Sequence, residues 1–160
     1  MTPRSGIGID FHPLVEGRSL VLGGVTIPFQ LGLLGHSDGD VLIHAVIDAL
    51  LGGAGLGDIG TQFPSDDSEY QGIASTELLR RTIELLGPHR WRTRYVDATI
   101  LAERPVLRPF MPLIKQTLAS SLGLDPESVN VKATTTDGLG FTGRGEGIGA
   151  LAVATLEPIA

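Results

Sequence analysis

The sequence predicts an α/β fold in which one small four-stranded sheet, with an N-terminal hairpin beside it, is covered on one face by helices. Three observations predict it. Residues 5–15, 93–102, 128–135 and 147–157 read as strands, rich in alternating or continuous apolar side chains. Residues 40–52, 75–86 and 109–122 carry helical spacing bounded by caps and stops. Strands interleaved with helices imply a single pair of layers, one sheet and one helical. At 160 residues, without a linker, repeat or low-complexity block, residues 1–160 read as one domain able to bury a substantial core.

The first strand, 5–15, follows Met1–Ser5 directly, with no signal or transit pattern before it. Segments 18–22 and 25–29 form a hairpin around Gly23-Gly24, a dipeptide that tolerates the positive φ of a two-residue turn. Ser37, Asp38 or Asp40 is available to cap the first helix, and Gly52-Gly53 to stop it. Residues 56–72 read as loop. Ser75 or Thr76 opens the second helix, and Gly87-Pro88 closes it. Pro109 and Pro112 fit the first turn of the third helix, and Gly123 its end. Three helices cover one face of such a sheet. The other face needs a cover too, and a partner subunit supplies it most economically, so an oligomer is expected.

A net charge of −6, with no cluster among the 12 Lys and Arg residues, argues against a nucleic-acid surface. The absence of cysteine excludes disulfides and thiolate metal sites, and fits a reducing compartment. No apolar run reaches the roughly 18–20 residues that span a bilayer. The expectation is a soluble protein of the cytoplasm.

Chemistry is concentrated in two short segments that hold three of the four histidines. Asp10 and His12 lie two apart in Ile7-Gly8-Ile9-Asp10-Phe11-His12, so a strand points both to one face. His44 lies in the first helix, with Asp40 and Asp48 one turn to either side. Alone it would read as a core histidine. Together with Asp10 and His12 it completes two imidazoles and a carboxylate, the three-ligand set of a catalytic zinc site. His36, beside Ser37 at the expected helix N-terminus, is placed to donate to an anion there, or else is a surface loop residue.

A second stretch, Lys132 to Gly147, has Thr134-Thr135-Thr136 at a strand end followed by a glycine-rich loop. Its backbone can approach phosphates closely, although a plain flexible loop fits as well. Residues 138–143 spell G-x-G-x-x-G, yet the 17 residues after Gly143 are too few for a dinucleotide-binding unit. A third stretch, Ala102 to Pro109, offers Arg104, Arg108 and backbone groups to a base or diphosphate, while Asp58, Asp66 and Asp67 add carboxylates.

Taken together, Gly8–His12, His36–His44, Leu56–Gly60, Phe63-Pro64, Val131–Thr136 and Gly140–Gly147 resemble the 2-C-methyl-D-erythritol 2,4-cyclodiphosphate synthase family, in family order from about residue 5 to 157. The resemblance implies a homotrimer with an active site between each pair of subunits. It implies a lyase of non-mevalonate isoprenoid synthesis, cyclising 4-diphosphocytidyl-2-C-methyl-D-erythritol 2-phosphate with release of CMP. Carried onto this chain, Asp10, His12 and His44 hold Zn²⁺, and His36 and Thr135 stabilise the transition state. Substrate is met by Asp10, His12, His36, Ser37, Asp58, Ile59, Gly60, Phe63 and the Ser65-Asp66-Asp67 loop. Its cytidine and phosphates are met by Ala102, Arg104, Pro105, Leu107, Arg108, Lys132, Ala133, Thr134, Thr135 and Thr136, with Phe141 and Arg144 nearby. The family usually has Glu after the three threonines, where Mg²⁺ or Mn²⁺ bridges the diphosphate. Here Asp137 stands in that position, and Val106 stands where a Lys is common. A metal-dependent phosphohydrolase and a non-catalytic, ligand-binding trimer are the competing expectations.

Overall fold

The computed structural model describes all residues, 1–160. Along the chain the elements are β1 (Arg4–Val15), β2 (Leu20–Leu22), β3 (Val25–Ile27), β4 (Gly32–Leu33), α1 (Val41–Ala54), α2 (Ile59–Gln62), α3 (Ser75–Leu86), β5 (Trp91–Leu101), α4 (Met111–Leu122), β6 (Val129–Thr134), α5 (Gly140–Gly143) and β7 (Gly147–Pro158). β7 lies between β1 and β5 and is antiparallel to both, so residues far apart in sequence form the middle of the sheet. β6 runs parallel to β5, and the crossover that a parallel pair requires is α4.

The sheet has five strands, in the order β4-β1-β7-β5-β6, rather than the expected four. The extra strand is the two-residue β4, which pairs Leu33 with Leu14 at the end of β1. Two residues are too few to show an alternating pattern. β2 and β3 form the expected hairpin as a separate two-stranded sheet, with φ of +61° and +79° at Gly23 and Gly24.

α1 is apolar on nearly every side because it is enclosed by β1, β7, β5 and α3. Of its three candidate caps, Asp40 acts, accepting from Ile43 N at 3.1 Å. Asp40 also accepts from Gly23 N (3.0 Å) and Gly24 N (2.7 Å), so one buried carboxylate fastens the hairpin to the start of α1. The segments read as loops contain two single helical turns, α2 and α5. Such turns are too short to display a helical period.

Alternation along β1 turns Gly8 toward the helices and leaves Ile7, Ile9 and Phe11 on the opposite face. That face is apolar and uncovered in the single chain. Ile7 is 68% exposed and Ile9 55%, with Phe11, Tyr95 and Val153 also exposed. Phe11 lies across from Gly149, where a Cβ would stand 2.1 Å from the ring.

Candidate active site

Asp10 and His12 project from β1 toward α1, where His44 meets them. Asp10 Oδ2 lies 2.8 Å from His12 Nε2 and 3.1 Å from His44 Nδ1, and the two imidazole nitrogens are 3.2 Å apart. One ligand atom from each residue falls within 4.8 Å of the others. The outer nitrogens are engaged elsewhere. His12 Nδ1 donates to the Leu34 carbonyl at 2.6 Å, which leaves Nε2 as a lone-pair donor in the neutral ring. His44 Nε2 lies 2.9 Å from the hydroxyls of both Ser37 and Ser75. Outer-nitrogen partners of this kind orient metal-binding imidazoles. The donor set and its convergence therefore fit a divalent metal ion.

The electrostatics agree. Burial of Asp10 alone would raise its pKa, but when the facing nitrogens of His12 and His44 carry protons, their hydrogen bonds and charge prevail and hold it at about 2. Burial of His12 disfavours its charged form, yet the hydrogen bond and charge of Asp10 outweigh this and raise its pKa. A carboxylate this acidic, beside a ring this ready to accept positive charge, marks a point that favours a cation.

The triad opens into a cavity of about 240 Å³ shared with His36, Ser37, Ile59, Gly60, Phe63 and Ser65, which brings these expected site residues together. Tyr70 and Leu78 also line it and carried no sequence signal beyond their apolar character. His36 is not at an open helix N-terminus as expected. Asp40 already occupies the Ile43 N–H there, and His36 Nε2 instead donates to the Asp67 carbonyl at 3.2 Å. Arg18, which the sequence did not single out, holds the backbone beside it by donating to Gly35 O (3.2 Å) and Ser37 O (2.7 Å). Asp58 caps α2, its Oδ1 accepting from Thr61 N and Thr61 Oγ1. Asp48 Oδ1 accepts from Ile59 N at 2.7 Å and so ties α2 to the helix that carries His44. Asp66 is exposed on the turn after Ser65.

The remaining expected residues lie elsewhere. Ala102, Pro105, Leu107, Arg108, Ala133, Thr134 and Thr135 line a separate cavity with Val106 and Met111, at the ends of β5 and β6. Two strands separate β1 from β6, so Asp10 and Ala133, in register through Ala150 and Ile100, lie three strand spacings apart, roughly 14 Å across the sheet. Lys132 does not line that cavity and pairs with Asp97 at 2.6 Å. Arg104 and Arg144 border a third depression, and Arg144 pairs with Glu146 at 3.1 Å. Phe141 packs edge-on against Phe11, with ring centroids 5.3 Å apart. Asp137 holds a left-handed conformation, φ +55°, beside Thr135, whose hydroxyl lies 3.4 Å from Asp137 Oδ1. Thr136 is turned inward, with its hydroxyl donating to Leu139 O at 2.6 Å. A single chain thus divides the expected site residues between two separate cavities.

The YgbB family model matches residues 3–157. The chain is 54% identical over 154 residues to 2-C-methyl-D-erythritol 2,4-cyclodiphosphate synthase of Desulforamulus reducens, covering 96% of this chain and 98% of that one. It is 56% identical to the enzyme of the same name from Desulfatibacillum aliphaticivorans, covering 96% and 99%. Among solved structures, a CDP-bound 2C-methyl-D-erythritol-2,4-cyclodiphosphate synthase superposes with a TM-score of 0.89 at 35% identity. That match covers 96% of this chain and all of the other.

Proposed function

We propose that this chain, which belongs to the YgbB family, works as a homotrimer in which the metal half-site of one subunit meets the Thr134–Asp137 half-site of the next. The reaction is that of the cyclodiphosphate synthases it resembles along nearly its full length. 4-Diphosphocytidyl-2-C-methyl-D-erythritol 2-phosphate becomes 2-C-methyl-D-erythritol 2,4-cyclodiphosphate, and CMP is released. An oxygen of the 2-phosphate forms a bond to the β-phosphorus. The bond from that phosphorus to the bridging oxygen breaks, and the electron pair leaves with CMP. Residues 1–160 act as one domain, in the cytoplasm.

The separation of the half-sites carries this reading. A cavity of about 240 Å³ is below the roughly 300–1,000 Å³ of pockets that enclose a ligand of ordinary size, so a cytidylated substrate must reach beyond it. The uncovered apolar face of the sheet, with Ile7, Ile9, Phe11, Tyr95 and Val153, is the surface that subunit contact would bury. A relative with CDP bound supports a cytidylated substrate, and the cavity lined by Ala102, Pro105 and Leu107 offers its cytidine end a second place to bind.

The nucleophile is already part of the substrate, so the protein needs no activated serine or cysteine. Its tasks are to align two repelling anions and to exclude water, since hydrolysis competes. Asp10, His12 and His44 would hold Zn²⁺. Asp137 would hold Mg²⁺ or Mn²⁺. When bound, these ions neutralise charge on the reacting phosphates. His36 and Thr135 donate hydrogen bonds where charge grows on the phosphoryl oxygens. Asp58 spends Oδ1 on its own helix cap, which leaves Oδ2 to accept from erythritol hydroxyls. The Ser65–Asp67 loop, tied to His36 through the Asp67 carbonyl, lies over the substrate.

Product analysis tests this. Incubation with the cytidylated substrate is expected to yield CMP and a cyclic diphosphate. CMP with an open-chain bisphosphate would identify a phosphohydrolase, and binding without CMP release a sensor.

A further inference from the structure

Behind His44 lies a relay that neither the metal triad nor the substrate cavity includes. The side chain of Asp38 accepts twice from Ser75, from its backbone N–H (3.0 Å) and from its hydroxyl. Asp38 thereby supplies the cap that α3 lacks, since Ala74 at the N-cap position has no side chain able to accept. Ser75 is completely buried, and its Oγ is 2.9 Å from His44 Nε2.

The direction of each bond follows from what each group can do. An ionised carboxylate only accepts, so the Ser75 hydroxyl must donate to Asp38. That hydroxyl has one proton, so toward His44 its oxygen can only accept. The bond to Ser75 therefore requires the hydrogen on His44 Nε2, against the pull of Asp10 Oδ2 on Nδ1 at 3.1 Å, and in that tautomer Nδ1 presents a lone pair toward the metal position. Ser37 Oγ, also 2.9 Å from Nε2, accepts from Gly39 N and has Ser75 Oγ at 3.4 Å as an acceptor for its own proton, so it fits the same direction.

We propose that Asp38, acting through Ser75, is a positioning residue that locks His44 in the Nε2–H tautomer and so aims a bare Nδ1 at the metal position. This deepens the reading of His44 as a metal ligand and rests on it. Two segments 37 residues apart are joined by the Asp38–Ser75 contact, so the device belongs to the tertiary fold rather than to α1.

Asp38→Asn tests the direction of the relay. With the Asn oxygen kept on Ser75 N, its NH₂ faces Ser75 Oγ and donates to it, giving up the bond that Asp38 Oδ1 accepts from Asp40 N at 3.1 Å. The hydroxyl proton turns toward His44 Nε2, and the ring proton moves to Nδ1. A change of tautomer without loss of geometry is the known effect of the corresponding Asp-to-Asn change in a serine protease triad. The readout is the side-chain ¹⁵N spectrum of the metal-free protein at a pH where imidazole is neutral, assignable because the chain has four histidines. Zinc affinity is measured alongside by chelator competition.

The expected result is Nε2–H for His44 in the wild type, mainly Nδ1–H in Asp38→Asn, and zinc affinity weaker by about 10–100-fold. Ser75→Ala, which removes the link without a new donor, should lower the Nε2–H fraction and weaken zinc less. It replaces Asp38→Asn as the test if that variant fails to fold. An unchanged tautomer in the folded variant overturns the proposal even if zinc affinity falls, because Asp38 would then only cap α3. A changed tautomer with unchanged zinc affinity overturns it as well. Failure of the metal reading is separate: zinc added to the wild type would leave the His44 ¹⁵N signals unmoved.

Discussion

A Cβ placed on Gly8 would stand 1.8 Å from the carbonyl oxygen of Ala45, so β1 and α1 meet backbone to backbone beside the cluster of Asp10, His12 and His44. Gly6 makes the same approach one step earlier, with its imaginary Cβ 1.9 Å from Ala49 O. Asp10 follows Gly8 by two residues on the same face, and His44 precedes Ala45. The close approach is therefore what allows His44 Nδ1 to come within 3.1 Å of Asp10 Oδ2. Gly8→Ala must push α1 away from the sheet. Overpacking of this kind costs about 1–3 kcal/mol or more. Urea denaturation should show that loss, and elemental analysis should find the variant depleted in zinc. A Gly8→Ala protein with full zinc and unchanged stability would contradict this packing.

Asp137 tests the second metal position. Its φ of +55° is one that Asn tolerates better than Ala, so Asp137→Asn removes charge while keeping the backbone comfortable. If the carboxylate holds Mg²⁺ or Mn²⁺, the midpoint of the magnesium titration of activity should rise by about tenfold, because ligand charge sets affinity for hard cations. Asp137→Glu should remain active, and zinc content should stay at the wild-type level in both. A fall in activity with an unmoved magnesium midpoint would leave Asp137 as a turn residue only.

Asp40 gives the protein a pH-dependent contribution of known sign. Burial outweighs the three backbone N–H groups that favour its carboxylate and pushes its pKa up to about 6, from an ordinary 3.8. The folded state then binds a proton between those two values that the unfolded chain does not. Stability from this group is largest below about pH 4 and declines as pH rises toward 6. Asp40→Asn should remove that part of the profile, so the gap in unfolding free energy between the two proteins should change between pH 4 and 7. Asn also keeps only one accepting oxygen for three donors. A net loss of about 1–3 kcal/mol at pH 7 is expected. Parallel denaturation curves with a constant gap across that range would refute the assignment.

Much of this site was legible because its residues obey local periods. Asp10 and His12 share a strand face by their spacing of two, and His44 interrupts an apolar helix whose limits are marked by Asp40 and by glycines. The long strands and helices were legible for the same reason. What the sequence hides is nonlocal or short. β4 has two residues, and α2 and α5 are single turns, so none shows a period. The Asp38–Ser75 contact and the Asp48–Ile59 tie join distant segments through polar side chains with no apolar pattern to announce them. Gly6 and Gly8 looked like ordinary members of a strand, and only the position of α1 shows why a side chain is excluded there. The division of the expected site residues between two cavities is likewise a property of strand order, which places β7 and β5 between β1 and β6.

The most direct measurement is CMP release by mixed trimers. His44→Ala damages the metal half-site and Thr135→Ala the threonine half-site, and each variant alone should be nearly inactive. In a head-to-tail ring, each site would draw its two halves from different subunits. Dissociating and reassembling equal amounts should give about one quarter of sites with both halves intact, by random pairing around such a ring. Activity should approach about a quarter of the wild-type value, far above the sum of the two variants. Mixed trimers no more active than that sum would contradict an active site shared between subunits.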